Sequence, residues 1–166
     1  DAITTQVVTV YNDLDLQQLL MDARRRGELV RRLLAGLVSA AELKELGLDL
    51  TGRYAAVRCT SALGVTTADQ RQLERTGSRP GTDAVLAIVE GECLGLVACA
   101  PEPPPGVLVA IGTEVPLTEV TRSFEIADRV SHVARHAGLS GVQSLEGLTW
   151  RVAAVDQPEL ARLLRS

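Results

Sequence analysis

Aromatic residues are nearly absent from this 166-residue chain: Tyr11, Tyr54, Phe124 and Trp150 are the full set, 2% of the sequence. A core without them must be packed from Leu, Val, Ile and Ala. Lysine occurs once, at Lys44, against sixteen arginines, a bias that reads as high-GC codon usage rather than a binding feature. No apolar run reaches the ~18–20 residues of a membrane span, and no charged-then-apolar leader opens the chain. The expectation is a chain without membrane contact, located in the cytoplasm. The formal net charge is −4, so the clustered basic face that duplex DNA requires is missing. Cysteines are few and odd in number. Cys59, Cys93 and Cys99 form no CxxC and sit near no His, which excludes a disulfide framework or zinc site and predicts three small buried hydrophobes.

What is present is globular: 46% hydrophobic and 23% charged residues, enough to bury a core. Ile3–Tyr11, rich in Val and Thr, reads equally as strand or helix lead-in. Asp15-Leu16-Gln17-Gln18 has capping-box spacing. Leu16, Leu19, Leu20, Ala23, Val30, Leu33 and Leu34 then recur at helical spacing to a stop at Gly36. Arg24, Arg25, Arg26, Arg31 and Arg32 share the polar face with Asp22 and Glu28, the composition of a solvated face. The leucines opposite suit packing against a symmetry mate.

Further on, helices are predicted over Ala40–Leu46, Thr67–Arg75 and Leu117–His136. Arg53–Cys59 alternates polar and apolar residues, the pattern of a strand with one face on a core. Asp83–Glu90 and Cys93–Ala100 read as a hairpin about Gly91-Glu92. Pro101–Gly106 cannot hold a ladder and is a stiff connector. Val107–Ile111 is another strand, residues 141–144 a short extended piece, and Leu145–Val155 and Pro158–Leu164 helical. The order implies an α+β fold: a mixed, largely antiparallel sheet with helices packed on it, ferredoxin-like, preceded by an N-terminal helix.

Chemistry is sparse. His132 and His136 share a helix face but lack a third ligand or an intervening Glu, and imidazoles near a helix C-terminus are favourable through the dipole alone. No phosphate loop, nucleophile elbow or calcium loop occurs. Asp83 and Glu90 lie at odd separation along a strand and so point to opposite faces. Arg53, Arg58 and Glu90 read as polar strand-face residues. The sequence therefore names no catalytic residue, no cofactor-binding residue and no metal ligand, and leaves any effector-binding residues unknown.

Several passages resemble the GGDEF-like domain of PucR/CdaR-type bacterial transcriptional regulators. They are Arg24–Gly36; Leu46-Gly47-Leu48-Asp49-Leu50 ahead of Arg53; Val107–Gly112 followed by Ser123-Phe124-Glu125-Ile126-Ala127-Asp128; and Gly141–Leu148. The resemblance covers about residues 24–166. It implies a degenerate cyclase scaffold, with residues 1–36 a coupling helix and 37–166 the regulatory domain. Related cyclases hold metal and GTP on a Gly-Gly-Asp-Glu-Phe hairpin, whereas here the hairpin reads Val89-Glu90-Gly91-Glu92-Cys93-Leu94. A single Glu92 is poor provision for a metal-bound triphosphate, and no Arg-x-x-Asp stands ahead of the hairpin as an inhibitory site for cyclic dinucleotides.

The resemblance thus implies a non-catalytic signal-relay domain without a cofactor, acting as a homodimer. It would reach DNA only through a helix-turn-helix domain that residues 145–164 are too short and broken to supply, so the chain reads as a fragment. Asn12–Leu16 would be the outgoing end of an upstream sensor. Two other readings stay open: a residual nucleotide-binding or cyclase-like enzyme, and a domain sensing a small-molecule effector between sheet and helices.

Overall fold

The computed structural model describes residues 2–149, with side chains from residue 14 onward. Its first element, α1 (Ala2–Leu34), is one unbroken helix of 33 residues, about 50 Å long. Asp15 therefore caps nothing, and Ile3–Tyr11 is helix rather than strand. A capping box acts only where the preceding chain leaves the helix, and residues 2–26 contain neither Gly nor Pro to make it leave. Gly27, inside α1, is where the helix lands on the sheet: a Cβ there would lie 3.4 Å from the Val89 side chain. The helix ends at Gly36, whose φ of +76° satisfies the left-handed turn expected of it.

A short helix α2 (Ala40–Glu45) follows. Its N-terminus is closed by a reciprocal box in which the Ser39 hydroxyl accepts from the Glu42 amide and the Glu42 carboxylate accepts from the Ser39 amide. Then come β1 (Arg53–Thr60), α3 (Thr67–Thr76), β2 (Val85–Val89), β3 (Glu92–Val97), β4 (Leu108–Pro116), a 3₁₀ turn Leu117–Glu119, α4 (Val120–His136) and β5 (Gly141–Ser144). Residues 145–149 are helical; the rest of the segment expected over Leu145–Val155, and all of Pro158–Leu164, lie outside the described residues.

The five strands form one sheet in the order β2-β3-β1-β4-β5. All neighbours are antiparallel except β4 and β5. The fold is α+β, with a mixed and mostly antiparallel sheet. Strand β3 lies between the parallel pair β1 and β2, a split βαβ. The connector Pro101–Gly106, free of helix or strand as its prolines require, carries the chain from β3 to the far side of β1.

Strand β1 is central and buried on both faces, so the one-sided core expected from its alternation is corrected. Ala55, Val57 and Cys59 pack with Leu73 of α3. Tyr54 and Ala56 pack on the opposite face with Leu29, Val30, Leu33 and Leu34 of α1 and Val120 of α4. Sequence alternation failed there because Ala is small enough for either interior face.

Two local devices place α4 and close the sheet edge. The register of β1 with β4 slips between Ala55 and Val57, which deprives Ala56 of its ladder partner. The Ser123 hydroxyl replaces it, accepting from the Ala56 amide at 2.9 Å and donating to the Thr113 carbonyl at 2.6 Å. Gly112 makes this approach possible, since a Cβ would sit 2.0 Å from the Ser123 carbonyl oxygen. Gly112 and Ser123 thus have a shared packing reason, and Ala127, one turn further along α4, is wholly buried. At the outer edge, Arg26 donates to the Leu86 carbonyl (2.8 Å) and to Glu74 (2.9 Å), while Glu74 accepts from the Leu86 amide. Side chains occupy groups that would otherwise template another strand.

Candidate functional site

The β2–β3 turn is Glu90-Gly91, one residue earlier than the sequence suggested. Both residues have positive φ, +53° and +79°, the type I′ geometry whose twist matches the flanking strands. The shift moves Glu92 off the turn and onto β3, opposite Val89. Glu92 and Arg58 both project from the α1/α4 face of the sheet, toward the C-terminal half of α4. There the Arg58 guanidinium donates to Glu92 at 2.8 Å and is also paired with Asp128. Arg135, two turns along α4 from Asp128, reaches the other Glu92 oxygen at 3.4 Å.

Glu92 and Arg58 are about three-quarters buried. Two guanidiniums therefore occupy the carboxylate of Glu92, and a divalent cation would have to displace them. Among the described residues no group of three His, Cys, Asp or Glu side chains is placed to hold a metal ion.

Beside this cluster lies a cleft of about 560 Å³, lined by Arg58, Asp128, Arg129, Ser131, His132 and Arg135. Helical spacing explains the wall: residues 128, 131, 132 and 135 repeat at three and four and share one side of α4. Ser131 occupies a core-like position, 2% exposed, and its hydroxyl has no hydrogen-bond partner among the described residues.

The remaining candidate residues are dispersed. Arg53 is exposed and donates to the Glu114 carbonyl. Glu90 is exposed at the turn and pairs with Arg31 at 3.1 Å. Asp83 and Glu90 both fall outside β2, so neither is a strand-face residue. His132 and His136 are exposed on α4. Of the five α1 arginines, four are committed to carboxylates of the body: Arg25 to Glu45, Arg26 to Glu74, Arg31 to Glu90 and Arg32 to Glu42. That is the behaviour of a face latched onto its own domain rather than of a nucleic-acid patch.

The cysteines hold one surprise. Cys59 and Cys93 are wholly buried, as expected, but stand directly opposite each other on β1 and β3. The hydrogen bond with Cys93 and burial push the Cys59 thiol well up, away from the reactive thiolate. Cys99 is only half-buried and faces the carbonyls of Thr76 and Ser78.

Sequence reasoning missed Asp128, Arg129, Ser131 and Arg135. They lie some seventy residues from Arg58 in the chain, and only the β1–α4 packing unites them. The one available signal was a polar stripe at three-four spacing beside the apolar stripe of the long helix. No protein-family model matches the chain, and no curated protein matches it.

Proposed function

We propose that this chain is a non-catalytic signal-relay and dimerisation domain of a PucR/CdaR-type transcriptional regulator, with α1 as the relay. The observation that carries the reading is the division of α1. Leu29, Val30, Leu33 and Leu34 are sealed into the core, whereas Leu14, Leu16, Leu19, Leu20 and Met21 are each more than half exposed on the same continuous helix. A helix of this kind transmits displacement at one end to the sheet at the other, because its final turns have no freedom to move alone.

The occupant proposed for the exposed half is the same segment of a second copy. In sequence, Ile3, Val7, Val10, Leu14, Gln17 and Met21 keep a 4-3-4-3-4 spacing, the seam of a two-helix coil with one polar position. About 20 projecting residues supply some three heptads, and an isolated helix of that length is marginal in water without a partner. The committed state of Glu92 supports the non-catalytic part, since a cyclase metal would compete with Arg58 and Arg135 for it.

Sedimentation equilibrium of the full chain tests the reading. A dimer is expected, converted to monomer by Leu14→Lys with Met21→Lys. Both substitutions lie on exposed helix, so the circular dichroism of the body should stay unchanged. A monomeric wild-type chain, or a dimer indifferent to the two lysines, overturns it.

A further inference from the structure

We infer that the cleft between α4 and the Arg58–Glu92 floor is a binding site for a small molecule bearing an oxyanion, a carboxylate or phosphate group. The inference stands apart from the relay reading, because it rests on the walls of the cleft and not on α1.

The sign of the ligand follows from which groups are already engaged. Both carboxylates of the cluster are committed: Glu92 to Arg58 and Arg135, and Asp128 to Arg58. Among the described residues, the groups of the cleft that lack a partner are all able to donate or carry positive charge. Among those residues neither Arg129 nor His132 takes part in an ion pair, and the buried Ser131 hydroxyl has no partner. A buried hydroxyl left unpaired costs about 1–3 kcal/mol, a standing cost that a ligand oxygen would relieve. A cationic ligand would meet the uncompensated Arg129 guanidinium, and a neutral apolar one would leave the hydroxyl unsatisfied.

Arg58 adds a fixed floor. Held on one side by Glu92 and on the other by Asp128, its guanidinium keeps a set orientation, so little side-chain entropy is lost when a further acceptor approaches. The cleft volume of about 560 Å³ falls in the ~300–1,000 Å³ range of small-molecule sites. It admits a molecule larger than the anion itself.

Isothermal titration of the full chain with inorganic phosphate and, separately, with acetate tests the site. At least one anion should bind saturably at millimolar concentration. Arg129→Gln with His132→Gln should weaken that binding about tenfold or more, the loss expected when charge-assisted bonds go. Arg122→Gln, exposed on the same helix but outside the cleft, should leave it unchanged. Ser131→Ala supplies a readout that a merely structural hydroxyl would not move: melting temperature held or raised, since an unpaired buried group is removed, together with weaker anion binding. Binding of phosphate alone assigns the ligand a phosphate group, acetate alone a carboxylate, and both a shared oxyanion site. No saturable heat with either anion, or equal affinities in wild type and the Arg129/His132 variant, overturns the inference.

Discussion

The two halves of α1 have similar helix-forming composition and opposite fates. Residues 28–34 bury four large aliphatic side chains against β1, β2 and β3, while residues 14–23 leave five exposed. The boundary is made by Gly27, which lets the helix touch β2, and by Arg26, which ties it to the Leu86 carbonyl and Glu74. Helical periodicity is the same on both sides. What differs is whether a sheet lies underneath. An apolar stripe thus reports that something should be covered, and tertiary contact alone reports by what.

The largest test of this contrast is Leu33→Ala against Leu19→Ala. Leu33 is 1% exposed and its truncation should cost about 2–5 kcal/mol in urea denaturation. Leu19 is 66% exposed, and its truncation should change the stability of the body by less than about 0.5 kcal/mol. Equal losses would mean that the exposed half is packed in solution against the body itself.

A smaller effect is expected at the boundary. Arg26→Ala should cost about 1 kcal/mol, since the side chain is 40% exposed and screening limits the ion pair, while the Leu86 carbonyl and Glu74 lose a donor. Hydrogen exchange should speed up at the Leu86 amide more than at Val57, and a uniform change would remove Arg26 from its role as latch.

The smallest effect concerns pH. The amide of Ser39, then the guanidinium of Arg32, hold the Glu42 carboxyl below its ordinary range despite an opposing desolvation. A depressed folded-state value means the stabilisation is complete above the unfolded value of about 4.3. It is lost as pH falls through the folded one. Glu42→Gln should therefore flatten the acid limb of stability below about pH 4.3, read from urea midpoints. An unaltered limb would show that the latch between α2 and the docked half of α1 does not titrate.

Much of the fold was legible from local chemistry. Gly36 stopped its helix, the stretch expected to be helical over Thr67–Arg75 is α3 almost to the residue, and Pro101–Gly106 stayed out of the sheet. Where reading failed, a non-local term decided. The turn falls at Glu90-Gly91 because pairing Val89 with Glu92 keeps Ala87 and Val85 facing α1 and sends Leu86 to the other core. A one-residue slip would invert every side chain of the strand. The candidate site was scarcely legible, since Arg58 looked like an ordinary strand polar residue, Glu92 was expected on the turn, and their α4 partners lay far along the chain.

Sequence by itself determined the helix and strand types beyond Tyr11, most of their stops and the aliphatic makeup of the core, because these follow from backbone freedom and side-chain period within a few residues. Tertiary structure alone decided which stripe of α1 is covered. It also set Cys59 against Cys93, and gathered arginines, a histidine and an unpaired serine around one cleft. Such juxtapositions depend on strand register and helix docking, and those are fixed by burial summed over the whole sheet.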